Sequence, residues 1–320
     1  MKLASKLAAV VFALACGSSA LAQNYPSKPV KIVVAYQAGQ GTDVATRYIA
    51  DQLTKALGQT FYVENRGGAG GNIGTSEASR AAPDGYTLTM GTNGTHALNQ
   101  FLYASTGSDA EKDFEPIVLV STFPMVLLAS GTSSYQSVAD VFAAARANPK
   151  SADIALPSTT ARLVYELLKE RSQLALFGVP YKGSAAATTD VIGGQVPLTI
   201  DTVSAARPFL ASGKLRALGV TSAKPTSLLP GAKTVAEQGL EGFEVVAWNA
   251  LYAPRGTPPA IVKRLNAEVA KIIAQPETRQ RLLQLGHEPA GGTPEQLGDF
   301  ARAERSKWGP LITKAGIKAE

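Results

Sequence analysis

The chain has one cysteine and two histidines in 320 residues. The cysteine, Cys16, lies in an N-terminal segment with the marks of an export leader: Lys2 and Lys6, the apolar run Leu7 to Ala15, and the small-x-small triplet Ala20-Leu21-Ala22. Cleavage after Ala22 leaves a chain that starts at Gln23 and has no thiol, which excludes disulfides and cysteine-ligated metals. Lipid attachment at Cys16 is the second reading, weakened because Ala13 stands where such a site carries a large aliphatic residue. Beyond residue 22 no stretch reaches the roughly 18 apolar residues that a membrane span needs. The expected product is an exported, periplasmic, soluble protein.

Other chemistries are missing too. Neither G-x-S-x-G nor G-x4-G-K-[ST] occurs, and His96 and His287 are too far apart in sequence to suggest a metal cluster or a hydrolase triad. No catalytic residue, metal or cofactor is therefore expected. The formal charge of +6 drops by two when Lys2 and Lys6 leave with the leader, and the remaining cations are interspersed with acids. There is no basic block of the kind that binds nucleic acid. A hydrophobic fraction of 45% with 18% charged residues is that of a globular chain, long enough for two domains.

The segment that organises the rest is KIVVAYQAGQGTDVATRYIADQLTKAL, Lys31 to Leu57. Lys31 to Ala35 is a short β-branched run suited to a buried parallel strand. Gly39, Gln40 and Gly41 turn the chain, and Thr42 or Asp43 is placed to cap a helix carrying Val44, Tyr48, Leu53 and Leu57 near one face. A helix that starts at a strand's end leaves unpaired N–H groups and a positive dipole end at its mouth, which suits a small anion. An ordinary strand-to-helix turn is the competing reading.

The same device recurs. Gly58 closes the first helix, Thr60 to Glu64 is a strand, and Asn72 caps a helix running to about Ala82, before the turn Pro83-Asp84-Gly85. Tyr86 to Met90 is a strand feeding Gly91-Thr92-Asn93-Gly94-Thr95-His96 and a helix to Tyr103. Phe114 to Leu119 and Met125 to Ala129 read as two strands. A second series follows, with strands at Asp153 to Leu156, Leu174 to Val179, Pro197 to Ile200 and Arg216 to Val220. Its helices are Val138 to Ala147, Ala161 to Glu170 behind Pro157-Ser158-Thr159-Thr160, one ending at Ile192, and one near Ala205 to Ala211. Glu244 to Ala253 is strand-like, and helices close the chain at Ala260 to Ile273, Glu277 to Leu285 and Pro294 to Ala315. Such alternation predicts an α/β protein with largely parallel strands. The helical tail returns to the first lobe, giving crossings near Ser121 to Pro124 and Val245 to Ala250 and a cleft at the strands' carboxyl ends.

VVAYQAGQGTD, VENRGGAGGNIG, AAPDGYTLTMGTNGTHALN, and VPYKGS followed by GGQ together resemble the Bug family, the exported solute receptors of tripartite tricarboxylate transporters. GKLRALGVTSAK, PRGTPPAIVKRLNAEV and ERSKWGPLITKAGIK resemble the family's remaining blocks, so the likeness covers nearly the whole chain. It implies a type II periplasmic-binding-protein fold, with two α/β lobes around a central cleft and two hinge crossings. Residues 23–122 plus 247–320 form lobe 1 and residues 123–246 form lobe 2. It also implies a monomer that closes on a small carboxylate, di- or tricarboxylate or aromatic, and delivers it to transiently bound transporter subunits. A sensor feeding a signalling partner and an exported carboxylate-processing enzyme are the alternatives.

Carried onto this sequence, the family's carboxylate loops fall at Tyr36 to Asp43 and Ser158 to Thr160. The expected ligand-binding set is Tyr36, Gln37, Gly39, Gln40, Gly41, Thr42, Asp43, Thr92, Asn93, His96, Ser158, Thr159, Thr160 and Asp201. Two departures stand out. Tyr36-Gln37-Ala38-Gly39-Gln40-Gly41 replaces the usual proline- and glycine-rich loop, and Arg162 stands where a histidine is common. Arg162 either clamps a carboxylate or points to solvent. GAGGNIG fails the dinucleotide pattern because Ile73 occupies the third glycine's place, so it reads as a turn or a loop near the cleft. His96 is expected to cap or line the cleft, and His287 to end a helix. Asp43 is expected to cap, Asp201 to line the cleft, and Trp248 and Trp308 to be core.

Overall fold

The computed structural model describes residues 25–314 and 316–318; the expected leader and its cleavage site lie outside them. Strand β1 (Val30–Val34) is VKIVV, with four of its five side chains buried. Helix α1 (Gly41–Leu57) lies against the sheet, its buried Ala45, Ile49 and Leu53 spaced by four so that one stripe faces inward. It stops at Gly58, whose φ of 68° is the left-handed conformation that glycine adopts without strain. Strands β2 (Phe61–Asn65) and β3 (Thr87–Thr92) flank β1 in parallel register.

A 17-residue strand, β4 (Phe114–Ser130), dominates the topology. Two strands were expected here, but no turn separates them: Ser121 to Pro124 stays extended and keeps pairing. The prolines fit because the ladder is irregular, with register shifts between Pro116 and Val118 and between Leu119 and Ser121. Over its first part β4 pairs antiparallel with β9 (Val246–Pro254) and with β10 (Glu288–Gly291). Beyond Pro124 it pairs with β7 (Leu198–Thr202) and β8 (Leu215–Val220). One ten-stranded network results, in the order β2-β1-β3-β9-β4-β7-β5-β6, with β5 (Ile154–Leu156), β6 (Gly178–Pro180), and β8 and β10 also paired to β4. β4 and β9 are therefore the two segments shared by the first and second halves.

Helices cover the faces. The first half carries α1, α2 (Asn72–Ser79), the short α3 (Asn99–Leu102), and later α8 (Pro259–Ala274), α9 (Pro276–Gln284) and α10 (Pro294–Lys314). The second half carries α4 (Val138–Ala147), α5 (Thr159–Ser172), α6 (Ser184–Ile192) and α7 (Val203–Ala211). One core cluster joins Ile32, Ile49, Leu53, Leu88 and Met90 to Leu251, Ile261 and Leu265. A larger one joins Leu127, Ile154, Val164, Leu198 and Val220 to Phe243, Trp248 and Trp308, so both tryptophans are core. No helix among the described residues is long and apolar enough to cross a membrane.

Several boundaries differ from expectation for local reasons. Asn72 is the first residue of α2 and not its cap; Gly71, at φ 98°, precedes it, and α2 ends at Ser79 rather than Ala82. α5 starts two residues earlier than expected because Ser158 is its cap, accepting the Ala161 N–H at 3.2 Å. The predicted strand from Leu174 shrinks to β6, since Gln173 ends α5 in a left-handed turn and Phe177 lies 63% exposed at the outer edge. After β3 the chain makes a wide π-type turn over Gly94–Leu98 before α3. Strand β10, with half-buried residues and no alternation, was not foreseen.

Leu53 is fully buried between α1 and the sheet. Leu53→Ala is expected to lower stability by about 2 to 5 kcal/mol, the range for a buried leucine truncation, read as a drop in urea midpoint with an unchanged m-value.

Candidate ligand-binding site

The carboxyl ends of β1, β3, β5 and β7 meet at one small cavity, where the chain passes from strand to helix four times. Its lining is Tyr36, Gln40, Gly41, Thr42, Thr92, Asn93, Phe123, Met125, Ser158, Thr160, Thr202 and Ala247. Three helix starts face it: α1 through Gly41 and Thr42, α5 through Ser158 and Thr160, and α7 through its cap Thr202, whose hydroxyl accepts the Ala205 N–H at 3.2 Å. Each start brings unpaired N–H groups and a positive dipole end. The lining contains no cation and no carboxylate. It combines neutral donors with an apolar floor of Phe123 and Met125 from β4 and Ala247 from β9.

The two halves touch across this cavity through uncharged groups. Thr160 Oγ1 donates to Asn93 Oδ1 at 3.0 Å, Gln40 Nε2 donates to Ser184 Oγ at 3.3 Å, and Thr159 Oγ1 donates to the Gly70 carbonyl at 3.5 Å. The cavity volume is about 30 Å³, room for about two waters and far below the roughly 300 Å³ of an ordinary ligand pocket. In this form the cavity has no room for an organic anion. Asn93 is buried and its Nδ2 has no partner, so a donor is held at the wall. Burial pushes the Tyr36 hydroxyl up to about 12, which keeps the phenol protonated.

Of the expected residues, the structure brings Tyr36, Gln40, Gly41, Thr42, Thr92, Asn93, Ser158 and Thr160 to the wall. Gln37 and Gly39 are exposed on the turn, Gln37 lying over Gly183 at the rim. Thr159 faces Gly70 and Tyr103, beside the wall. Asp43 lies behind α1's first turn: it accepts the Gly39 N–H at 2.9 Å, Asn65 Nδ2 at 2.9 Å and Arg47 Nε at 3.0 Å. Its carboxylate thus braces the loop, while Gln40, not Thr42 or Asp43, is the cap residue of α1. His96 is fully buried between Tyr252 and Phe114, one layer behind Thr92. His287 is likewise buried, with Ser121 Oγ 3.3 Å from its Nδ1 and its ring against Phe123. Arg162 lies 3.9 Å from Glu166 and is not on the wall.

Asp201 sits behind Thr202, its Oδ1 accepting the Thr202 N–H at 2.7 Å and its Oδ2 without a partner. Burial pushes its carboxyl up to about 6, and the neighbouring Ser184 hydroxyl and Thr202 restrain the rise. Sequence reasoning missed Phe123, Met125, Thr202 and Ala247. Strand parity offered a signal for Thr202: adjacent strand residues point to opposite faces, so Thr202 faces the helix mouth when Asp201 faces inward.

Residues 45–317 match the tripartite tricarboxylate transporter family receptor family. The chain belongs to that family. Its members are solute-binding receptors, so this chain is a receptor and not an enzyme. The protein BugT of Bordetella pertussis is 32% identical over 300 residues, 93% of this chain and 92% of BugT. An R. palustris protein solved with adipate is 36% identical, with a TM-score of 0.89 over 92% of this receptor and 99% of that chain. MatC from Rhodopseudomonas palustris, solved with malate, is 31% identical, with a TM-score of 0.84 over 90% of this receptor and all of that chain, 100%.

In this receptor Asp201 binds its proton more tightly folded than unfolded, so the folded state holds more protons between about pH 4 and pH 6 and loses stability as pH rises through about 6. Asp201→Asn is expected to remove roughly 2 to 3 kcal/mol of that decline, seen as a stability difference from wild type that shifts in the variant's favour from pH 4 to pH 7 in urea titrations.

Proposed function

We propose that this receptor captures a small organic carboxylate by lobe closure in the periplasm and hands it to the membrane subunits of a tripartite tricarboxylate transporter. The observation that carries the reading is the convergence of three helix starts on a cation-free cavity too small to admit a guest while shut. Lobe 1 is residues 23–122 plus 247–320 and lobe 2 is residues 123–246, with β4 and β9 bending at the crossings. The Gln40 to Asp43 turn and Asn93 hold the guest from lobe 1. Ser158, Thr160 and Thr202 hold it from lobe 2. Ligands of related proteins, adipate and malate, support a carboxylate class.

Closure and capture are coupled in this scheme. An open cleft leaves the N–H groups of α1 and α5 hydrated, and a carboxylate spanning them is satisfied from both sides only when the halves meet. The three neutral contacts across the cleft contribute on the order of 0.5 to 1.5 kcal/mol each. That is small enough for a ligand to tip the open-closed balance. The apolar floor favours a guest whose carboxyl groups are joined by carbon. Water bridging between loops and guest accommodates different lengths.

Calorimetry with adipate, malate, tricarboxylates and aromatic acids tests the class, and small-angle scattering tests the motion. Saturable binding by at least one acid, with a smaller radius of gyration when bound, is expected; no binding, or an unchanged radius, would reject the scheme. Thr160→Ala removes a hydroxyl from the wall and is expected to weaken binding about three- to tenfold, the worth of one hydrogen bond, with thermal stability near that of wild type. Loss of solute uptake in cells lacking the receptor, restored by its expression, tests delivery to a transporter.

A further inference from the structure

We infer that His96, one layer behind the cavity wall, positions the phenolic hydrogen of Tyr36 to point into the cavity, making Tyr36 a committed donor to the guest. The inference rests on the carboxylate reading above and gives one wall residue its polarity. His96 does not line the cavity; it acts through two threonines. The contacts form a chain from the ring to the wall: His96 Nδ1 to Thr95 Oγ1 at 2.9 Å, Thr95 Oγ1 to Thr92 Oγ1 at 3.4 Å, and Thr92 Oγ1 to the Tyr36 hydroxyl at 2.8 Å.

Hydrogen directions along the chain follow from counting donors and acceptors. Burial, with Arg305 nearby, pulls His96 down to about 3, so its ring is neutral and carries one N–H. Nε2 is buried without a partner, among Tyr252 at 4.1 Å and Phe114 at 4.8 Å between ring centres. An orphaned N–H is rarer in proteins than an orphaned acceptor, so the hydrogen belongs on Nδ1 and is donated to Thr95. Thr95 Oγ1 also accepts the Thr92 N–H at 3.0 Å, which fills both of its acceptor positions. Its own hydrogen has the Thr92 hydroxyl at 3.4 Å and the Thr92 carbonyl at 3.5 Å within reach, and we assign it to the hydroxyl.

Thr92 Oγ1 accepts that hydrogen and the Thr95 N–H at 3.3 Å. It then has only its own hydrogen to offer, and the Tyr36 oxygen at 2.8 Å accepts it. The Tyr36 hydrogen is released toward the cavity that Tyr36 lines. With the other tautomer the hydroxyl hydrogens run the opposite way, and Tyr36 would present lone pairs to an anion. Arg305 holds the backbone of this layer: it donates to the His96 carbonyl at 3.1 Å and pairs with Glu111 at 3.1 Å.

Two measurements test the inference. Nitrogen-15 NMR of the imidazole in the wild-type protein is expected to show the Nδ1–H tautomer for His96; the Nε2–H tautomer would overturn it, whatever the ligand. Calorimetry with adipate reads the consequence. His96→Leu and Tyr36→Phe are each expected to weaken binding about fivefold, and His96→Leu adds nothing in the Tyr36→Phe background because both remove the same hydrogen bond. His96→Asn, whose amide nitrogen replaces Nδ1 as donor, is expected to restore affinity to within about twofold of wild type while losing the stacking on Tyr252. Additive losses in the double variant, or a His96→Asn protein as weak as His96→Leu, would overturn the inference. If adipate and the other acids fail to bind the wild-type protein, the carboxylate reading falls and the tautomer measurement alone decides the role of His96.

Discussion

Unpaired backbone N–H groups at the starts of α1, α5 and α7 supply the positive potential of a site whose wall has no positively charged side chain. Everything else in the fold serves to bring these helix ends together. Within each half the parallel strands place their carboxyl ends on the cavity side, α1 and α5 rise from opposite halves, and in the proposed scheme closure makes both act on one guest. Backbone donors are fixed by helix geometry. They lose little freedom on binding, unlike lysine or arginine side chains, and they do not repel each other across an empty cleft.

A neutral wall also explains where the charges have gone. Asp43 is close enough to α1's mouth to oppose an anion, yet Arg47, Asn65 and the Gly39 N–H consume its oxygens, so its field is largely cancelled locally. Arg162, in the first turn of α5, has Glu166 3.9 Å away along the helix, and its buried Nε makes no hydrogen bond. Asp201 is a buried acid near the wall with an unpaired oxygen, and burial raises its carboxyl to about 6, so it sheds its negative charge only on mild acidification. The fixed charges lie behind the wall rather than on it, as the proposed recognition of an anion by dipoles requires.

Much of this was legible in the sequence because strand-to-glycine-to-helix transitions are local events. The β-branched run before Gly39 and the glycine at 58 act locally, so β1 and the span of α1 could be read directly, while the loops Tyr36 to Asp43 and Ser158 to Thr160 were placed by the family resemblance and the Ser158 cap was missed. The floor could not. Phe123, Met125 and Ala247 look like ordinary strand residues, and only long-range pairing of β4 with β9 and then β7 brings them beneath the cavity. His96 misled for a related reason: its position in a glycine-rich loop suggested a place capping or lining the cleft, whereas the wide turn over Gly94–Leu98 rotates it into the core against Tyr252.

The continuity of β4 constrains how the halves can move. Two strands joined by a loop would leave the second half free to swing; one unbroken strand, paired on both sides of Pro124, restricts bending to the place where it changes partners. That place is marked by Thr221, whose hydroxyl accepts the Met125 N–H at 2.9 Å and donates to the Val245 carbonyl at 2.6 Å, tying both crossings at the point where β4 leaves β9 for β7 and β8. Because Phe123 and Met125 flank this junction and also form the cavity floor, a guest resting on them touches the axis of motion itself. If the lobes close as proposed, the size of the guest sets the angle at which they meet, and a guest too long for the helix starts to reach both ends holds them apart.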